Sequence, residues 1–246
     1  LKKLEKSNFD IIFVGDSSLG YLIDAKTWGN LTGKNTANLA LTGKFQYQGN
    51  LALIKKIYQK NNKIKINIVS TITNWSFAEK NLFNTVYYNN NKFIKNYYLL
   101  LFNLNRISIN KIINFYINKS NNYKSYLRED YVIQGDIINH NNLDTSFTKS
   151  IVDEKRINSL LKVKKFCEIN KLDCNFFHGP ITKNICDLEN FNKYLNNLNS
   201  FLNKNNLTFN KKIICFDHIH IGDSEDHINT KYKKKYTKTF YDLILK

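Results

Sequence analysis

The sequence lacks several features that would place a protein in a familiar class. It has no apolar run of about 18 residues, the length that a membrane-spanning helix needs, so no segment is expected to cross a membrane. Its four cysteines have no Cys-x-x-Cys spacing, which argues against a zinc site of that kind. With no internal repeat and no linker that demands a second domain, residues 1–246 are predicted to form a single domain.

The chain has no methionine and begins at Leu1. We interpret it as a fragment or a mature form, from which an N-terminal signal or membrane anchor could have been removed. The even number of cysteines permits disulfides if the protein is exported. Cys174 and Cys215, however, fall in predicted buried strands, where free cysteine is common. Cysteine usage alone therefore leaves the compartment open.

Acidic residues are few, with 20 Asp and Glu against 37 Lys and Arg, and the formal net charge is +17. The basic residues are spread along the chain, and their densest run, Lys231 to Lys238, falls on a predicted helix as its solvated face. No nucleic-acid-binding motif accompanies the charge, so we expect no nucleic acid partner. An anionic glycan or an anionic membrane surface is a better expectation.

Short apolar runs alternate with segments of helical periodicity. The run from Phe9 to Val14 ends at Gly15 and is typical of a strand buried on both faces. The alternation predicts an α/β fold with a central parallel sheet of about five strands and helices on both faces. Residues 78–130, rich in Tyr, Phe, Asn and Lys, are predicted as an inserted helical segment, followed by a polar loop at 131–150. The other predicted strands are 38–41, 64–69, 174–177 and 213–216.

Polar residues follow several of these strands. In an open parallel sheet the working groups lie at the carboxyl ends of the strands, which here are residues 15–18, 42–43, 73–74 and 217–229. Ser17 is at a sharp strand-to-helix turn, which exposes its hydroxyl and directs its N–H toward a developing oxyanion. A serine needs a base, usually a histidine oriented by a carboxylate, and the stretch ending at His227 supplies both. Helix capping is the alternative role for Ser17, as it is for Asn229.

Three blocks of the sequence resemble those of the SGNH (GDSL) hydrolases. Phe13-Val14-Gly15-Asp16-Ser17-Ser18-Leu19-Gly20 is similar to the first block, and Asn38-Leu39-Ala40-Leu41-Thr42-Gly43 to the second. His227-Ile228-Asn229, followed by Tyr236-Thr237, is similar to the last. The order and wide spacing of the blocks fit that family over nearly the whole chain.

The resemblance implies a flavodoxin-like three-layer α/β/α fold, with Ser17 as nucleophile and His227 as base. It also implies an oxyanion hole formed by the N–H groups of Ser17 and Gly43, with the side chain of Asn74 as a third donor. The third block departs from the family, because Gly-x-Asn-Asp is replaced by a sequence in which only Asn74 matches.

The last block departs as well, because the family has Asp-x-x-His and Ser224 occupies the position three residues before His227. We prefer Asp223 as the triad carboxylate, since the side chain of the adjacent Asp226 rarely reaches its neighbour's ring in the needed direction. The sequence Asp217-His218-Ile219-His220 also spells Asp-x-x-His, but it ranks lower because it directly follows the strand and lacks the downstream Asn and helix.

Other histidines offer alternative roles. His218 and His220 could ligate a metal with Asp217 and Asp223, but no further cluster of ligands is evident, and we expect neither metal nor cofactor. His178 lies at a strand end and could line the site, although a hydrogen-bonded structural role is more common. His140 has no predicted role.

The predicted reaction is serine-dependent acyl transfer or ester hydrolysis. The lead-in from Lys2 to Asp10 resembles membrane-tethered members of the alginate and teichoic-acid acylation type. That likeness implies O-acetyl transfer to, or removal from, a cell-surface polysaccharide in a periplasmic or other extracytoplasmic location. The expected partners are an acylated glycan or acyl donor and a membrane-bound acyltransferase. The alternative is a catalytically degenerate member that only binds a glycan or such an acyltransferase.

Overall fold

The computed structural model describes residues 8–41, 46–72 and 154–245. The predicted helical insertion at 78–130, the polar loop at 131–150 and most of the lead-in before the first strand lie outside these residues.

The core of the fold is a parallel sheet of four strands, flanked by helices. Its order is β2-β1-β3-β4, with β1 at Ile11–Gly15, β2 at Thr36–Asn38, β3 at Lys65–Ser70 and β4 at Cys174–His178. Two further short strands, β5 (Ile181–Thr182) and β6 (Cys215–Phe216), form a separate parallel pair. The prediction of a mixed α/β fold with a parallel sheet is confirmed.

Seven α-helices and two short 3₁₀ turns accompany the strands in the described ranges. No described helix combines the length and the apolar composition needed to cross a lipid bilayer. The helices are α1 (Ser17–Leu22), α2 (Ala25–Thr32), α3 (Gln46–Tyr58), α4 (Glu154–Ile169), α5 (Lys183–Cys186), α6 (Glu189–Lys204) and α7 (Lys233–Leu245), and the 3₁₀ turns are His218–His220 and Thr230–Tyr232.

Strand β1 shows why this sequence forms a sheet covered on both faces. Successive side chains of a strand point to opposite faces, and all five residues of β1 are buried. Ile12 and Val14 belong to the apolar cluster formed with α3, α4 and α6, whereas Ile11 and Phe13 belong to the cluster formed with α1, α2 and α7. An uninterrupted apolar run is what such a doubly covered strand requires.

The predicted strands differ from the observed ones at the ends of the sheet. β2 spans 36–38, whereas 38–41 was predicted. The N–H groups of Leu39 and Leu41 nevertheless donate to carbonyls of β1. The fifth predicted strand is reduced to β6, which pairs with the unpredicted β5. After β4 the chain passes through Gly179-Pro180, and because proline has no N–H, regular strand pairing stops there.

The four cysteines form two disulfides, Cys167–Cys174 and Cys186–Cys215. Cys174 and Cys215 do lie in strands, as predicted, but neither is fully buried and neither is a free cysteine. Cys174 is the first residue of β4 and is only half-buried, and the preceding tight turn brings it beside α4. Cys215 is exposed in the short strand β6, and its disulfide joins it to Cys186, the last residue of α5.

Candidate active site

The sharp turn after β1 carries Ser17. Asp16 precedes α1 and caps it, accepting a hydrogen bond from the backbone N–H of Ser18 at 3.1 Å. Ser17 is the first residue of α1, so its N–H has no acceptor within the helix and lies at the positive end of the helix dipole. The turn therefore presents the Ser17 hydroxyl and its N–H at the carboxyl end of the sheet.

The glycine before this turn is required by the packing of two strands. Gly15 pairs with Val69 of β3. A Cβ atom on Gly15 would lie 2.1 Å from the backbone carbonyl oxygen of Val69, which cannot rotate away. The Gly-Asp-Ser sequence thus combines, in three consecutive residues, a close strand contact, a helix cap and a half-buried hydroxyl at the start of a helix.

The segment from Ile221 to Ile228 carries the histidine and is folded back on itself. An antiparallel bridge joins Ile221 to Ile228, both fully buried, and the N–H of Gly222 donates to the carbonyl of His227 at 2.7 Å. The N–H of Thr182 at the end of β5 donates to the carbonyl of Glu225 at 2.9 Å. The two ends of the segment are therefore buried and paired with each other, and its middle is bonded to β5.

The structure brings Ser17, His227 and Asp223 together, although Ser17 and His227 are 210 residues apart in the chain. The Ser17 Oγ lies 2.9 Å from Nε2 of His227, and Nδ1 of His227 lies 2.6 Å from Oδ1 of Asp223. A carboxylate can only accept, so Nδ1 carries the proton and Nε2 is left to accept from the serine hydroxyl. The ring of Tyr21 packs against the imidazole, with the centroids 4.4 Å apart.

The carboxylates around His227 stabilise its protonated form relative to an imidazole in water. Burial lowers the pKa of His227, but the hydrogen bond to Asp223 and the negative charges of Asp226, Asp223 and Asp16 raise it, and the net pKa is above the usual value. The hydrogen bond from His227 lowers the pKa of Asp223, which stays ionised. The imidazolium that forms when His227 takes a proton is therefore stabilised by neighbouring carboxylates.

The three candidate carboxylates occupy different places. Asp223 faces Nδ1 of His227, where a triad carboxylate belongs. Asp226 lies on the other side of the ring, with Oδ1 3.7 Å from Nε2. Asp217 caps the 3₁₀ turn at His218–His220, and its own N–H donates to the hydroxyl of Tyr236 at 3.2 Å. The geometry thus supports the preference for Asp223.

A network of buried and half-buried polar groups beside the serine was not predicted. Asp16 accepts from the Ser18 hydroxyl at 2.6 Å and from the N–H of Thr71 at 3.0 Å. The hydroxyl of Thr71 donates to Asp226 at 2.7 Å, and the hydroxyl of Ser224 donates to the same carboxylate at 2.6 Å. The cap at Asp16 could have been found from the Asp-Ser-Ser pattern after a strand, whereas no pattern indicates the contact between Thr71 and Asp226.

The remaining oxyanion-hole predictions concern Gly43 and Asn74. Both lie outside the described residues, so their roles remain predictions. Asn229 accepts a hydrogen bond from the N–H of Lys231 at 3.1 Å. It is a cap, but of the 3₁₀ turn at Thr230–Tyr232 rather than of the last helix, which begins at Lys233.

Of the two histidines considered as alternative metal ligands, His220 has aromatic and hydroxyl partners, whereas Nδ1 of His218 is buried without a hydrogen bond among the described residues. In the part of the chain that the structure describes, no group of three or more His, Cys, Asp or Glu side chains is arranged to hold a metal ion. Nδ1 of His220 pairs with the hydroxyl of Tyr236 at 2.7 Å, and its ring packs on Tyr232. Burial, with a contribution from the charge of Lys235, lowers the pKa of His220.

His178 is a buried histidine held by one hydrogen bond. Its Nε2 lies 3.0 Å from Oδ1 of Asn199, and its ring packs on Phe209. Burial lowers the pKa of His178 to about 4, so the ring is neutral at physiological pH. His140, for which no role was predicted, lies outside the described residues.

Comparison with known proteins adds no relative: no family model, curated protein or solved structure matches the chain. The similarity of its sequence blocks to the SGNH hydrolases remains an expectation from sequence. The arrangement of Ser17, His227 and Asp223 is therefore the main basis for assigning a function.

Proposed function

We propose that this protein is an SGNH-type serine esterase or O-acyltransferase, in which Ser17 is the nucleophile, His227 the base and Asp223 the orienting carboxylate. The observation that carries the proposal is the pair of hydrogen bonds from Ser17 Oγ to His227 Nε2, at 2.9 Å, and from His227 Nδ1 to Asp223, at 2.6 Å. A nucleophile, a base within hydrogen-bond reach and a group that orients the base are the parts that covalent catalysis by serine needs.

The mechanism follows from these positions. Ser17 Oγ attacks an acyl carbonyl while its proton passes to Nε2 of His227. The N–H of Ser17, together with the proposed donors Gly43 and Asn74, stabilises the oxyanion. Collapse of the tetrahedral intermediate breaks the bond to the leaving alcohol, which takes the proton from Nε2. Water or a sugar hydroxyl then attacks the acyl-serine, with His227 again as base, which restores the free serine.

The proposed substrate is an O-acetylated or acetyl-accepting polysaccharide at the cell surface. The two disulfides support a periplasmic or other extracytoplasmic location, because disulfides persist in oxidising compartments. The formal net charge of +17 supports attraction to an anionic glycan or membrane surface. A membrane-bound acyltransferase, as the source of the acyl group, is the proposed protein partner.

The finer description of the fold is a proposal too. We infer a flavodoxin-like three-layer arrangement with a fifth strand position beside β4. The sheet order β2-β1-β3-β4 and helices on both faces of β1 support it. A parallel bridge between Phe177 and Asn210, on the far side of β4 from β3, supports the fifth position.

The test is hydrolysis of p-nitrophenyl acetate by the wild type and by Ser17→Ala. We expect the variant to lose at least about 10³-fold in kcat, because the nucleophile is removed. Ser200→Ala is the matched control, since Ser200 is exposed on α6, and it should keep the wild-type rate. Labelling by a fluorophosphonate should occur in the wild type and in Ser200→Ala and be lost in Ser17→Ala.

Two outcomes would reject this mechanism. If Ser17→Ala hydrolyses the ester at the wild-type rate, another group does the chemistry. If the folded wild type neither hydrolyses the ester nor reacts with the fluorophosphonate, the alternative of a degenerate, binding-only protein takes its place. Circular dichroism of each variant separates loss of the nucleophile from loss of the fold.

A further inference from the structure

A second carboxylate lies beside the catalytic imidazole, and the proposed triad does not include it. Asp226 is only 7% exposed, and its Oδ1 is 3.7 Å from Nε2 of His227, the nitrogen that receives the proton from Ser17. Asp223 occupies the opposite nitrogen, Nδ1. The imidazole is therefore flanked by a carboxylate on each side.

The carboxylate of Asp226 is fixed by two hydrogen bonds from separate parts of the chain. Thr71, just after β3, donates to Oδ2 at 2.7 Å, and Ser224 donates to Oδ1 at 2.6 Å. The N–H of the same Thr71 donates to Asp16, which caps the helix that begins with Ser17. One threonine thus connects the turn that carries the nucleophile to the segment that carries the base.

A charge held in this position acts on the transition state. When Ser17 gives up its proton, Nε2 becomes an N–H and the ring becomes positive, and a fixed negative group nearby stabilises that state more than the neutral one. The partners of Asp226 hold it 3.7 Å from Nε2, which is longer than a hydrogen bond, so Nε2 can face Ser17.

We propose that Asp226 is a positioning residue. Held by Thr71 and Ser224, it stabilises the imidazolium form of His227 and keeps the segment from Ile221 to Ile228 in place beside the turn that carries Ser17. This inference rests on the proposed function. The charged or titratable groups that face the imidazole within the described residues are Asp223, Asp226 and Asp16, with Tyr21 packed on the ring.

The test is the pH dependence of kcat and kcat/KM for Asp226→Asn with p-nitrophenyl acetate. Asparagine keeps the shape and can still accept from Thr71, but it removes the charge that raises the pKa of His227. Protonated His227 is then less stable, so the acid limb of the profile moves to lower pH. On the alkaline plateau kcat should fall about tenfold with little change in KM, because a weaker base accepts the proton less readily. Asp242→Asn, which makes the same change of charge at an exposed position of α7, should follow the wild type.

The outcomes separate the two proposals. An inactive wild type that does not react with a fluorophosphonate rejects the serine mechanism. Only the role of Asp226 is rejected if the wild type is active, Ser17→Ala is inactive, and Asp226→Asn keeps the wild-type pH profile and kcat. If Asp226→Asn does not fold, Thr71→Val removes one anchor of the carboxylate, and an unaltered kcat in that variant would overturn the inference. Thr71→Ser, which keeps the hydroxyl, should have the wild-type kcat and pH profile.

Discussion

Replacing Asp223 by asparagine tests which carboxylate orients His227. The asparagine amide has nearly the same shape but no charge, and its NH₂ group can donate to Nδ1, which favours the tautomer with the proton on Nε2. In that tautomer Nε2 cannot accept the proton of Ser17. The expected result is a loss of kcat with a nearly unchanged KM, because the carboxylate acts on the base rather than on bound substrate.

The expected loss of kcat depends on the free energy of the hydrogen bond between Asp223 and His227 and on how far Asp223 is exposed to water. A hydrogen bond to a charged group contributes about 1.5–3 kcal/mol, which corresponds to a change in rate of about 10-fold to 150-fold. The side chain of Asp223 is 49% exposed, so water can replace part of its effect. We therefore expect a loss of at least about 10-fold from the hydrogen bond alone, and of up to about 10⁴-fold because the amide also favours the tautomer that cannot accept the proton.

The assay is steady-state hydrolysis of p-nitrophenyl acetate, with kcat and KM determined separately for Asp223→Asn, Asp217→Asn and Asp242→Asn. Asp217→Asn removes the competing candidate, and Asp242→Asn controls for the change in net charge at an exposed position. The reasoning is refuted if Asp223→Asn has the wild-type kcat while Asp217→Asn loses activity, since Asp217 would then be the functional carboxylate.

Two further predictions concern stability and are measured by urea unfolding. Gly15→Ala should lower the free energy of unfolding by about 1–3 kcal/mol or more, because the new Cβ would lie 2.1 Å from a backbone carbonyl of β3; an unchanged midpoint would contradict the close contact of the strands. Replacing Cys186 and Cys215 by serine should cost about 3.6 kcal/mol, against about 2.4 kcal/mol for Cys167 and Cys174, since the chain-entropy contribution grows with the separation, 29 residues against 7. The reverse order of the two costs would show that local geometry outweighs chain entropy.

The parts of the fold that could be predicted are those in which burial dictates sequence. β1 is a continuous apolar run, and β3 and β4 carry several apolar residues, because helices and neighbouring strands surround them; each lies within a residue or two of its predicted bounds. β5 and β6, by contrast, have two residues each, which is too short for any periodicity. Their pairing depends on where the chain leaves the sheet after β4, and disulfide partners likewise cannot be read from a count of cysteines.

In the site, too, features set by local sequence could be predicted and features set by tertiary packing could not. The turn that carries Ser17 could be predicted because Asp16 and Ser17 meet local requirements: Asp16 caps the helix, and Ser17 is its first residue after a strand. The contact between Thr71 and Asp226 joins residues 155 positions apart, and neither residue type is unusual where it stands. Buried polar partners of this kind are set by tertiary packing, so sequence patterns do not reveal them.

The unusual spacing between Asp223 and His227 and the inward position of Asp226 have one structural origin. The N–H of Gly222 donates to the carbonyl of His227, and the N–H of His227 donates to the carbonyl of Ser224, so residues 222–227 close into a tight loop. Within a closed loop, the distance between two side chains no longer follows from the number of residues between them, and a carboxylate four positions away reaches Nδ1. The same tight loop buries the side chain of Asp226 against Thr71. Although Asp226 is adjacent to His227 in sequence, its carboxylate therefore lies near Nε2, on the side of the ring opposite Asp223. The departure from Asp-x-x-His therefore leaves the carboxylate–imidazole pair intact and gives the imidazole a second negative neighbour.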